Sequence, residues 1–184
     1  MASIAPQSIT LKTGQAAVIR CPAEADAAAL MELIASNLAN STGMVRRPDE
    51  YTLTLAQQGE WIVKHRDDPA WIVLLCEVEG KLVACLGFEN QQRKRISHGG
   101  SFGMGVHYQW RGRGIGEALL HVLLGWAAVH PQIEKVSLSV LADNAPAIAL
   151  YHKLGFSEEG RRFREIKRDD GQYVDDILMY RWVK

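Results

Sequence analysis

The stretch Val106–Leu120, VHYQWRGRGIGEALL, alternates two arginines with three glycines and then runs straight into an apolar helical pattern. Glycine costs a helix about 1 kcal/mol relative to alanine, so Gly112, Gly114 and Gly116 need a reason other than helix formation. The first turn of a helix carries unpaired N–H groups and the positive end of the dipole, which attract anions. Glycines let a phosphate reach that backbone without meeting a Cβ. Arg111 and Arg113 add formal charge in a geometry that suits phosphate. The spacing fits neither a dinucleotide G-x-G-x-x-G nor a P-loop, because no Lys-Ser or Lys-Thr follows. What it fits is R-x-x-G-x-G, Arg111 to Gly116. The alternative is a glycine-rich turn without function.

Working outward, SFGMGV (101–106) reads as a strand with Ser101, Gly103 and Gly105 on one face and Phe102, Met104 and Val106 on the other. One face is almost bare, which permits close approach of another chain, a bulge or tight helix packing. After the loop, Ile115, Ala118, Leu119, Val122, Leu123 and Trp126 share a helix face, and Pro131 ends the helix. KVSLSVL is a buried strand. DNAPAIALYHKLGF is a short helix, with Asn144 as N-cap, Pro146 in its first turn and Gly155 closing it. SEEGRRFREIK and YVDDILMYRWV form a hairpin across RDDGQ. Upstream, AVIR is a short strand, followed by a helix through Leu30, Met31, Ile34 and Leu38 with Asp26 as its N-cap. A weaker helical pattern spans Leu53 to Arg66. WIVLLCEV and KLVACLGFE are strands joined by a hairpin turn at Glu79–Gly80.

The 184 residues predict one domain, and a hydrophobic share of 47% supplies its core. Twenty-one basic residues balance twenty-one acidic ones, which argues against a nucleic-acid binder. Cys21, Cys76 and Cys85 lack metal-ligand spacing and read as buried, reduced thiols of a cytoplasmic protein. The N-terminus lacks a signal-peptide pattern, no stretch is apolar enough to span a membrane, and the histidines predict no metal.

The glycine loop resembles the pyrophosphate-binding signature of the GNAT superfamily of acetyl-CoA-dependent N-acetyltransferases. SFGMGV resembles that family's central strand and LSVLADNAPAIALYHKLGF its second signature, so the likeness covers about residues 101–156. The resemblance implies an α/β (α+β) fold: a mixed, mostly antiparallel sheet of about seven strands, about four flanking helices, and splayed central strands. It implies a cofactor-binding half at about 101–156 and acceptor-side helices at about 23–66. Acetyl-CoA is the implied cosubstrate. Its pantetheine amides would pair with the backbone around Met104 and Val106, and its diphosphate would lie on Arg111, Gly112, Arg113, Gly114, Ile115 and Gly116. Asn144 would contact the cofactor as well as cap its helix. Tyr151, otherwise a core tyrosine, matches the family's general acid toward the departing thiolate. Lys153 would reach nucleotide phosphates, or else is a solvated surface lysine. The resemblance allows a homodimer without locating an interface.

The implied reaction is transfer of acetyl to a primary amine, by direct attack in a ternary complex. A backbone N–H near Val106 would polarise the thioester carbonyl. An α-amine, with reference pKa about 7.7–8.0, is roughly a tenth neutral at pH 7, while a lysine-like amine is neutral in roughly one molecule in a few thousand. A base therefore matters. SFGMGV carries no carboxylate, where several family members have a glutamate. Glu89 is the best acidic candidate and His98 the next, though each also reads as an exposed strand-end residue. Arg46 and Arg47 would attract an acceptor carboxylate, or else are ordinary surface charges. The acceptor class is a small molecule, an amino acid or a peptide N-terminus. The alternatives are a silent acyl-CoA sensor, another acyl donor on the same scaffold, and a nucleotide-binding module.

Overall fold

The molecule is described by a computed structural model covering residues 3–184. Its centre is a hairpin. The apolar run of β3 (Ile72–Val78) is buried at all but one position, as expected of a strand covered on both faces. It pairs antiparallel with β4 (Lys81–Asn90). Glu79 (φ 50°) and Gly80 (φ 76°) between them both adopt the left-handed conformation that a two-residue hairpin turn requires.

On one side of this pair lies β2 (Ala16–Arg20), which β1 (Gln7–Thr10) flanks at the sheet edge. On the other side lie β5 (Gly99–Val106), β6 (Lys135–Leu141) and the closing hairpin of β7 (Ser157–Lys167) and β8 (Tyr173–Trp182). The eight strands run in the order β1-β2-β3-β4-β5-β6-β8-β7. Every neighbouring pair is antiparallel except β5 and β6. That parallel pair holds only from Gly99–Lys135 to Ser101–Ser137. Beyond Ser101 the two strands part while each stays paired to its outer neighbour.

Four helices cover the sheet. On one face α1 (Ala27–Ala39) and α2 (Leu55–Asp67) pack Leu30, Leu33 and Ile62 onto Val73 and Leu75. On the other, α3 (Ile115–Val129) and α4 (Ala145–Lys153) join the larger core of Leu74, Leu86, Phe88, Phe102, Leu119 and Tyr151. The helix face predicted for α3 is the one it buries: Ile115, Leu119, Val122 and Leu123 are buried, with Ala118 and Trp126 packed at its margin.

Three details depart from the sequence reading. The sheet has eight strands, because the polar tetrapeptide QSIT forms an exposed edge strand with no apolar alternation to announce it. Asp26 does not cap α1: it has helical backbone angles, and its carboxylate instead accepts from the Ala23 N–H and from Arg20 at 2.7 and 2.8 Å. Arg20 also reaches Glu77, so one guanidinium ties β2, the start of α1 and β3 together. Among the cysteines, all free, only Cys76 is fully buried; Cys21 and Cys85 are half-buried.

Candidate active site

The glycine loop is built as its composition demands. After β5 a single tight turn, Tyr108–Trp110, leads into Arg111, whose Nε donates to the Val106 carbonyl at 3.1 Å. Gly112 (φ 76°) and Gly114 (φ 88°) are left-handed, and Gly114 caps α3. A side chain there would be strained. The helical ladder begins with Ala118 donating to the Gly114 carbonyl at 3.0 Å. The amides of residues 112–117 find no acceptor among the described residues. All of these residues but Arg113 line a cleft of about 690 Å³ that runs from the loop, between β5 and α4, to the segment 40–44 after α1.

Long-range neighbours give the cleft mouth its charge. Lys12, from the turn between β1 and β2, lies over Gly114, its Cγ 3.3 Å from where a Cβ would stand. Its Nζ is 3.7 Å from Glu117, and Lys153 Nζ donates to the same carboxylate at 2.6 Å. The Lys153 hydrogen bond, with the charges of Lys153 and Lys12 behind it, holds Glu117 below the usual carboxylate range. Two ammoniums against one carboxylate leave a net positive rim beside the free amides. Lys12 could not be read from the loop's own spacing, because it arrives from about 100 positions upstream. Arg113 turns away from the cleft: its guanidinium donates to Gln15 and to the Gln109 carbonyl and stacks on Trp110.

On β5, Met104, Gly105 and Val106 line the cleft wall. The two glycines of the bare face differ in their surroundings. A Cβ at Gly105 would meet Asn37 Nδ2 at 2.7 Å and Met44 Cε at 3.2 Å, so α1 and its following loop press there. Gly103, by contrast, has open space above it. Asn37 escaped the sequence reading; it is buried, and its Oδ1 has no partner among the described residues.

Across the cleft, Asn144 caps α4 by accepting from the Ala147 N–H at 3.4 Å, and its amide nitrogen faces Gly43. Tyr151, on the same helix, is buried between the edges of Phe102 and Phe156, each 5.9 Å away centre to centre. Burial pushes its phenol up to about 12. It reaches the cleft wall with Met104 and Ile115.

The two candidate bases lie elsewhere. Glu89 sits near the far end of β4, opposite Ser101, bonded to His65 at 2.7 Å. His98 stacks on Trp182 just before β5 begins. Neither lines the cleft, because both stand at the end of β5 remote from Val106, where β5 and β6 are still paired. Arg47 is spent on Asp49 and Asp169, and Arg46 is exposed. No group of three or more metal-ligating side chains occurs among the described residues, and no helix there is long and apolar enough to cross a membrane.

Comparison with known proteins agrees with this geometry. Residues 33–156 match the acetyltransferase (GNAT) family. The L-amino acid N-acetyltransferase AaaT of Escherichia coli is 35% identical over 121 residues, 66% of this chain and 74% of that protein. An N-alpha-acetyltransferase of Sulfurisphaera tokodaii is 33% identical over 106 residues, 53% of this chain and 64% of that one. Among solved structures, a GNAT-family acetyltransferase from Streptococcus pneumoniae superposes with a TM-score of 0.87 at 26% identity, covering 90% of this chain and 99% of that one. The phosphinothricin acetyltransferase of Sinorhizobium meliloti, in complex with acetyl-CoA, shares the fold with a TM-score of 0.79 at 18% identity, over 95% of this chain and 89% of its own. Signature loop, parted strands and matched sequence coincide: the chain belongs to the GNAT family of acetyltransferases.

Proposed function

We propose that the protein transfers acetyl from acetyl-CoA to a primary amine of a small molecule, amino acid or peptide N-terminus, by direct attack in a ternary complex. One observation carries the donor side: the unpaired amides of residue 112 and residues 114–117 belong to the lining of a positively rimmed cleft that continues along β5. A diphosphate supplies the acceptors those amides lack. Lys12 and Lys153 stand ready to add charge, and Met104 and Val106 offer backbone to an extended amide-bearing arm. Bound acetyl-CoA contributes an activated thioester. Tyr151, neutral and at the cleft wall, can give its proton to a departing thiolate. An amino-acid acceptor gains weight from the similarity to the E. coli L-amino acid N-acetyltransferase.

Gly116→Asp tests the donor site cleanly. Its Cβ would meet only the flexible end of Met104 at 3.2 Å and a Leu150 methyl at 3.4 Å, and an acid in the first turn suits the helix dipole. The fold should therefore survive while the new carboxylate repels a diphosphate. Titration calorimetry should show acetyl-CoA affinity lowered about 10²-fold at an unchanged melting temperature. Wild-type affinity would remove the site. Thiol release with a panel of L-alanine, L-methionine, L-lysine and propylamine tests the transfer itself: binding without turnover on any amine would favour a sensor.

A further inference from the structure

The face of β4 and β5 beneath α1 and α2 carries a feature that the donor cleft does not use. Gly87 and Gly103 are directly opposed across the two strands, and neither has a heavy atom within 4 Å of where a Cβ would stand. Neither glycine has a positive φ, so no turn or strained backbone calls for them. Gly103 is also exposed. The pair makes a side-chain-free depression in the sheet. It begins two residues past Ser101–Ser137, at the first position on this face after β5 and β6 part.

The next opposed pair along the same face, about 7 Å away, is Glu89 and Ser101. The Glu89 side chain is half open to solvent, yet one carboxylate oxygen is fixed 2.7 Å from His65 Nε2. His65 is itself buried, 3% exposed, between the rings of Trp61 and Trp71. Its Nδ1 lies 2.8 Å from the Trp61 carbonyl, which can only accept, so Nδ1 bears a proton. A buried ring clamped at both nitrogens is a costly way to place an exposed strand-end glutamate, unless the position of that carboxylate matters.

We infer that Gly87 and Gly103 form the floor of the acceptor slot, and that the free carboxylate oxygen of Glu89, held in place by His65, accepts a hydrogen bond from the acceptor amine beside it. The depression suits a primary amine on a slender carbon, and the carboxylate oxygen suits its N–H. His65 is a positioning residue. This rests on the acetyltransfer reading above, which supplies the reason for an amine to approach here.

Steady-state kinetics with the best amine of the panel test the slot. Gly87→Val should raise the amine KM at least tenfold and leave the KM for acetyl-CoA within twofold. If valine disturbs the fold, Gly87→Ala, with a threefold rise, serves in its place. Glu89→Gln should raise the amine KM at least tenfold, and His65→Ala should do the same, with His65→Gln recovering part of the loss. A wild-type amine KM in the Gly87 or Glu89 variants overturns the slot and leaves the acetyltransfer reading standing. No thiol release by the wild-type protein with any amine of the panel overturns that reading, and the slot with it.

Discussion

Tyr151 is enclosed by Phe102 and Phe156 and keeps its proton because burial lifts its phenol to about 12. A neutral phenol at a cleft wall is a proton source across the whole working range. Tyr151→Phe should therefore lower kcat about 10²-fold with acetyl-CoA binding little altered, read by stopped assays and calorimetry. The wild-type kcat should show no loss attributable to this phenol below about pH 11. Gly112, Gly114 and Asn144 were legible in the sequence because each answers a local demand: a left-handed backbone or a helix cap. The role of Tyr151 came only by family likeness, since a tyrosine in an amphipathic helix reads equally well as core. Lys12, Asn37 and the His65–Glu89 pair were invisible, because their neighbours are brought to them by the sheet and not by spacing.

The β3–β4 turn tests how closely sequence and local geometry agree. Glu79 sits at φ 50°, a conformation in which asparagine is far more at home. Glu79→Asn should stabilise the protein by about 0.5 kcal/mol, and Gly80→Ala should destabilise it by about 1 kcal/mol, both read from urea midpoints with activity unchanged. Helix α2 shows what local reading missed: its start is set by Thr54, which accepts from the Gln57 N–H while the Gln57 side chain accepts from the Thr54 N–H. That reciprocal cap is plain in TLTLAQQ once the weak apolar pattern beginning at Leu53 is set aside. Strand β1 had no such signal, and only its pairing with β2 makes it a strand.

For the molecule as a whole, buried acids set the alkaline limit. Cys76 is pushed up to about 11 and Tyr151 to about 12, each by burial, against values of 9.0 and 10.0 without it. Unfolded chains lose these protons first, so stability is full below about pH 9 and falls as pH rises toward 12. Thermal melts should drop steadily over that window, and Tyr151→Phe should recover part of the loss between pH 10 and 12. On the acid side, the Arg20 hydrogen bond holds Asp26 below its usual value, a contribution present at neutral pH and lost as pH falls through that lowered value. The overall order of strands and helices was legible because periodicity changes cleanly at each turn. The parting of β5 from β6 was not, since nothing in the alternation of SFGMGV or KVSLSVL marks where a ladder stops.

That parting has a dynamic consequence. Past Ser101 the inner edge of β5 and the facing edge of β6 have no rungs between them, so the sheet behaves as two plates stapled at three residue pairs. In deuterated water the inward amides of residues 103–106 should exchange early, although they lie mid-sheet, and a pantetheine arm laid between the plates should slow them as a ninth strand would.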